Sequence, residues 1–315
     1  VVAGTVTVDG TVFKVGETIV SDPSTSTLTI DDATDAMLSL DVRMTGLELA
    51  KGTVALANGA SRTLERLDGL TLGADATLRL PSDGLYVTGA LTAEAGATVK
   101  GPGTLIGTAA CPAGLTLAEG ATYLCATGSS FTWPSSGVAY IPAGVVEADI
   151  TADDVAKVSG LEKIVFLGEA STVTYKLAEA WMFAVPVEGP GTVAVSNAGR
   201  VTILGDNRHL TGCFTFDNTL VVVSNRYGLG SAVTKACTVK FGDQSDALRF
   251  GGAGLTNDVP LQVYKSTVSD GLVLGPDNAD ETLVLNGGFL VMDNANINLY
   301  LRNRIRIGGG VFGLE

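Results

Sequence analysis

The chain has 315 residues, 46% of them hydrophobic and only 17% charged, with a formal net charge of −13. The acidic balance and the lack of a basic tract exclude a nucleic-acid partner bound through the phosphate backbone, and they favour solubility over contact with anionic membranes. No apolar run approaches the roughly 18 residues of a membrane span, so no membrane insertion of this segment is expected. The apolar residues come in short runs, as β-strands require.

Residues 1–46 open with Gly4-Thr-Val-Thr-Val-Asp-Gly10, a strand ending in an Asp-Gly turn, with Thr11–Gly16 as its expected hairpin partner and Thr27–Ile30 as a further strand. This segment reads as N-terminal strands or a cap. Residues 47–124 repeat one phrase at Leu47, Leu70, Leu91 and Leu115, starts that lie 23, 21 and 24 residues apart. Each phrase is an alternating run, a small-residue turn and a second alternating run. A strand-and-turn period of this length points to an all-β fold, a β-solenoid of about 20–24 residues per coil. At about 22 residues each, 315 residues make about 14 coils. With strands ~4.8 Å apart, they would stack over ~65 Å. Small Ala-Thr pairs at Ala76-Thr77, Ala97-Thr98 and Ala121-Thr122 suit a tight corner, where stacked threonines can hydrogen-bond between coils.

Residues 125–188 break the rhythm and hold Trp133 and Trp181. Thr151-Ala-Asp-Asp154 signals a helix start with an acidic first turn, and Gly160 a stop, so a helical turn or two is expected around 152–158. Strand-like runs continue through the segment, which favours irregular coils over an insertion. Residues 189–315 return to regular strands, including Val201–Leu204, Thr219–Val223, Thr282–Leu285 and a long Ile297–Ile307. Gly189-Pro-Gly-Thr-Val echoes Gly101-Pro-Gly-Thr-Leu.

The four cysteines form two local pairs, Cys111/Cys125 and Cys213/Cys237. Even numbers at local spacings suit two disulfides in an oxidising compartment, and the 24-residue separation of the second pair would stack its members on adjacent coils. Buried free thiols filling coil interiors are the alternative. The chain begins at Val1 without a signal peptide and is read as a mature or excised segment, which leaves targeting open.

One stretch carries a recognisable pattern: Gly205-Asp-Asn207-Arg-His209-Leu-Thr-Gly212, then strands, then Asn225-Arg-Tyr-Gly-Leu229-Gly230-Ser231. It resembles the autotransporter-associated β-strand repeat, also called the passenger-associated transport repeat. Gly205, Asn207, Gly212, Leu229, Gly230 and Ser231 match in order, His209 stands where the family usually has Tyr, and Cys213 replaces a Gly or Thr. Asn298–Gly310 is similar to the segment that follows such a repeat. The resemblance implies a right-handed parallel β-helix in the secreted passenger of a Gram-negative surface protein, and no particular activity.

Candidate chemistry is sparse. His209 is the sole histidine, so any triad must use it, and a turn residue is the simpler role. No set of His or Cys has zinc-ligand spacing. The acidic clusters at Asp31/Asp32/Asp35, Asp153/Asp154 and Asp277/Asp280/Glu281 offer oxygen ligands for calcium, but solvated loops account for them as well. Gly242-Asp-Gln-Ser245 only echoes a nucleophile loop, and Gly251–Gly254 only the start of a calcium-binding nonapeptide. Alternation along Ile297–Ile307 places Tyr300, Arg302, Arg304 and Arg306 on one side, a possible grip for an acidic glycan or neighbouring chain. Trp133 and Tyr140 are core residues or sugar platforms.

The reading that follows is a non-catalytic extracellular β-solenoid, the stalk, fibre or adhesin segment of a secreted bacterial surface protein. It needs no cofactor. Self-association through the solenoid ends and a glycan or host-surface ligand are its expected partners. The alternative is a carbohydrate-active β-helix enzyme, a lyase or hydrolase of acidic polysaccharide.

Overall fold

The computed structural model describes residues 6–9, 27–39, 46–57, 64–241, 247–265, 272–291, 299–301 and 303–314. It is a β-solenoid of about 11 turns, nearly all of it parallel sheet. The chain divides into two compact units, Val1–Gly128 and Ser129–Glu315, each with its own core.

The first unit is one nine-stranded parallel sheet. Strands Thr27–Ser39, Gly46–Ala57, Glu65–Arg79 and Leu85–Ala93 follow one another coil upon coil. Leu47 pairs with Leu70 and Leu70 with Leu91, so the first three phrases of the ladder stack in phase. The same leucine face turns inward in each coil, and Leu47, Leu49, Leu70, Leu72 and Leu78 are almost wholly buried. Ala76 and Ala97 fill the expected tight corners with no exposed surface. Threonine pairs bridge coils at Thr71–Thr92 (3.1 Å) and Thr104–Thr122 (2.9 Å).

The fourth phrase does not stack in phase. Thr116–Ala118 pairs with Thr98–Lys100, the second run of the third phrase, and Leu117 lies on Val99, where an in-phase repeat would set it on Ala93. The strand Thr104–Gly107 stacks on Leu85 and Tyr86 and in turn carries Thr122–Cys125, the second run of the fourth phrase. The expected hairpin partner Thr11–Gly16 lies outside the described residues, and Val6–Asp9 pairs parallel with the strand that begins at Thr27.

The second unit has an eight-stranded sheet from Glu147–Ile150 to Val311–Leu314, a six-stranded sheet from Trp181–Phe183 to Leu299–Leu301, and two three-stranded sheets. All pairings are parallel. Inward columns run straight through the coils: Ala148, Val173, Val193 and Phe214 form one, Ile150, Tyr175, Val195 and Phe216 another. The eight-stranded sheet passes without interruption from Glu147 through Tyr175 into the regular half. Steps between equivalent positions range from 20 residues (Val173 to Val193) to 28 (Val263 to Val291). Coils longer than expected are one reason for about 11 turns in place of 14.

The expected helix is present at Val155–Ser159, with Gly160 closing it through bonds to the Lys157 and Val158 carbonyls. Its N-cap is Asp154, not Thr151. The Thr151 hydroxyl and Lys157 Nζ instead donate to the Asp154 carboxylate at 2.6 and 2.8 Å. Both tryptophans are buried. Trp133 donates its indole N–H to the Asp149 carbonyl (2.8 Å), and Trp181 stacks on Tyr175 with ring centres 4.3 Å apart. Tyr140 is buried too, so neither it nor Trp133 is a sugar platform.

The long Ile297–Ile307 strand is two strands. Leu299–Leu301 closes the six-stranded sheet, and Arg304–Ile307 pairs with Thr282–Leu285 in another sheet. The chain turns the corner at Asn303, whose φ is +63°.

All four cysteines are free thiols, which corrects the expectation of two disulfides. The local coil step explains the second pair. Thr215 pairs with Thr238, a step of 23, whereas the two cysteines are 24 apart. A one-residue offset puts neighbouring side chains on opposite faces of a sheet, and Cys237 is fully buried while Cys213 is half-buried and near the Thr192 hydroxyl. Burial also raises the Cys237 pKa well above its ordinary value. Thiol titration without reductant is expected to count four thiols in denaturant, with Cys237 reacting only at the rate of unfolding. Fewer than four, or prompt labelling of native Cys237, would contradict this register.

Candidate functional site

The outward face of the eight-stranded sheet carries a groove of about 770 Å³. Strand alternation builds it: while Val173, Tyr175, Val193, Val195, Phe214 and Phe216 point into the core, the residues between them point out. Ala194 lies in register between Thr174 and Thr215, and its short side chain leaves a depression in the floor. Glu147, Lys176, Ser196 and Asp217 stand around it.

Lys176 Nζ donates to Glu147 Oε1 at 2.9 Å, the Thr174 hydroxyl donates to the same oxygen at 3.0 Å, and Asp149 lies 3.9 Å from Lys176. The bond from Lys176, followed by that from Thr174, holds the Glu147 carboxyl below its usual range, and Glu147 in turn raises Lys176. These groups are exposed, so solvent screens the pair and it adds little to stability.

The residues that resemble the passenger repeat serve the coil stack. Asn207 is fully buried and reaches both ways, accepting the Val187 N–H at 2.8 Å and donating to the Gly228 carbonyl at 2.6 Å. A Cβ on Gly212 would stand 1.7 Å from the Gly191 carbonyl oxygen, so only glycine lets these coils approach. Gly230 has φ +120°, where side chains are strained. Leu229 is buried in the core, and the Ser231 hydroxyl donates to the Arg208 carbonyl at 3.0 Å. Asn197 and Asn218 add a stacked pair at a left-handed corner (φ +56° and +51°), the Asn218 Nδ2 donating to the Asn197 Oδ1 at 2.9 Å.

His209 is exposed, and its backbone carbonyl accepts the Gly189 N–H. Beside it, Tyr227 lies under the guanidinium groups of Arg208 and Arg226, at 4.5 and 5.3 Å. Arg208 is paired with Asp206 and Arg226 with Asp258, so this cluster is internally neutralised. Among the described residues, no three His, Cys, Asp or Glu side chains converge as a metal site. Asp277 and Asp280 lie exposed in a turn. Gly252–Leu255 forms a 3-10 turn. The side chains of Asp31, Asp32 and Asp35, and the whole of 242–246, lie outside the described residues.

Arg304 and Arg306 are exposed on Arg304–Ile307, while Tyr300 belongs to the strand before the corner. Arg302 and the Tyr300 side chain lie outside the described residues. The inward register of this coil includes Leu301, opposite buried Leu274, and Ile307, opposite buried Leu285, yet they are 54% and 45% exposed. The groove was missed from sequence because its residues are spread over four coils. The only signal was a set of small and polar residues at alternate positions.

No protein-family model, curated protein or solved structure matches the chain. The Asn207 geometry gives a direct expectation. Replacing it with Ala leaves a buried N–H and a buried carbonyl unpaired, at a cost on the order of 2–5 kcal/mol. Denaturant unfolding of Asn207→Ala against the parent chain measures this, and a loss below about 0.5 kcal/mol would contradict the bridging role.

Proposed function

We propose that the chain is a non-catalytic β-solenoid scaffold, the stalk, fibre or adhesin segment of a secreted or cell-surface bacterial protein of the autotransporter-passenger kind. The observation that carries this reading is Asn207, the most conspicuous residue of the repeat-like stretch, wholly occupied in tying three coils together. Gly212, Gly230, Ser231 and the Asn197–Asn218 pair serve the same end. A residue set spent on coil-to-coil bonds builds length and rigidity, and a solenoid gains its function from the lateral surface and edges that it displays.

The enzyme alternative needs two or three carboxylates, or an Arg or Lys base beside acidic ligands, facing a substrate. In the groove the Glu147 carboxylate is taken up by hydrogen bonds from Lys176 and Thr174. Incubation with polyuronates and neutral glycans is expected to release no new reducing ends and no unsaturated uronate. Turnover that disappears in Glu147→Gln or Asp217→Asn would overturn the scaffold reading in favour of the enzyme.

Association between chains belongs to the same proposal. Leu301 and Ile307 present core-type side chains on strands that lie at the ends of their sheets, and a further coil would cover them. Sedimentation velocity is expected to show concentration-dependent assembly that the Leu301→Arg, Ile307→Arg double variant suppresses. A monomer at all concentrations would remove this part of the proposal.

A further inference from the structure

The last coil of the second unit combines open strand edges, exposed apolar side chains and unpaired cations. Leu299–Leu301, Arg304–Ile307 and Val311–Leu314 are each the final strand of their sheet among the described residues, so each has one edge without a neighbouring strand. Residues 299–314 hold three arginines and no acidic residue. Arg304 and Arg306 are exposed, in register with Thr282 and Val284, and neither has an ion-pair partner. Elsewhere Lys176, Arg208, Arg226 and Lys235 are all paired. The acids that flank this coil in sequence, Asp293 and Glu315, lie outside the described residues, and Asp280 and Glu281 in the coil beneath leave the two arginines unpaired. With Leu301 and Ile307 about half exposed beside them, the edge fits a partner strand that is acidic and amphipathic.

The chain holds such a strand itself. Val6–Asp9 is the first strand of the nine-stranded sheet and pairs on one side only among the described residues, with Thr27–Ser39. Residues 1–46 carry seven acidic residues against two basic ones. Asp9 is in register with Asp32, and like charges placed directly opposite destabilise a strand pair. One coil on, Lys51 is in register with Asp75, so the row runs Asp9, Asp32, Lys51, Asp75 with its two neighbouring acids at the open edge. A cation on a further strand would relieve them. Setting Arg306 on Asp9 also sets Ile305 on Val8 and Arg304 on Thr7, apolar with apolar and polar with polar. A two-fold contact between two arginine edges would instead set like charge on like. We infer that the arginine edge of one copy, Arg304–Ile307, docks head to tail on the acidic edge of a second copy, Val6–Asp9, and continues the parallel pairing found within the chain. This rests on the proposal that chains associate through Leu301 and Ile307, and it names the surface that covers them. Such a heterologous contact leaves one free edge of either kind in a dimer, so growth continues unless the rotation closes a ring.

The test is sedimentation velocity of the full chain and of two double variants, alone and mixed. Arg304→Glu with Arg306→Glu reverses the arginine edge, and Asp9→Lys with Asp32→Lys reverses the acidic edge. Each variant alone is expected to stay monomeric at concentrations where the parent assembles. Mixed in equal amounts, the two are expected to associate, because each supplies the edge that the other lacks. Raising salt from about 0.01 M to about 0.15 M shortens the Debye length from about 30 to about 8 Å and is expected to weaken assembly of the parent roughly tenfold or more. Circular dichroism melts show whether the variants fold, and the salt series on the parent decides the matter where the acidic-edge variant does not. Self-assembly of the folded acidic-edge variant, a mixture that stays monomeric, or parent assembly indifferent to salt would overturn the head-to-tail contact while leaving chain association in place. A parent that is monomeric at all concentrations would overturn both, and the scaffold reading would then rest on the turnover assay alone.

Discussion

The parallel coil-to-coil ladder is the constraint on which the rest depends. Once Val173 lies over Ala148 and Val193 over Val173, every neighbour's facing follows, because side chains alternate along a strand. The inward columns become a continuous apolar core, and the outward columns become rows of like-placed polar groups. Core and candidate site are therefore two faces of one register. A slip by one residue would bury Lys176 and Asp217 and expose Tyr175 and Phe216.

Corners are where the ladder is most exposed to failure, and the polar and small residues are concentrated there. Asn207 satisfies backbone groups of the coils before and after it. Asn197 and Asn218 take left-handed backbone that few other side chains tolerate, and bond to each other. Gly212 permits a contact that any Cβ would block. These residues look like a motif, and in the fold they act as joints. This is why a sequence pattern strong enough to suggest a family says little about activity.

The groove arises from departures from uniformity in the same lattice. Ala194 is shorter than the threonines that flank it in register, and Lys176 rises between Glu147 and Asp149. The ion pair is worth little in stability, being exposed and screened. It does tie up the Glu147 carboxylate and the Lys176 ammonium in each other. The core and the outward groove thus draw on different residues of the same strands.

Much of the architecture was legible from local pattern. Apolar alternation, the period of the Leu47, Leu70 and Leu91 phrases, the small corner residues and the stop at Gly160 each act over a few residues, and each has its expected place in the fold. Long-range register was not legible. The fourth phrase slips out of phase because its coil step is 18 residues (Thr98 to Thr116), shorter than the spacing of the phrases. Cys213 and Cys237 miss each other because their coil step is 23, not 24, and the arginine strand divides at Asn303 because the corner falls there. The groove belongs to this second class. Sequence by itself determined that the chain would stack as parallel β-coils, since burial of alternating apolar residues demands a partner above and below. Tertiary structure alone decided which residues share a row, because coil lengths vary and one residue's difference moves a side chain from the core to the surface.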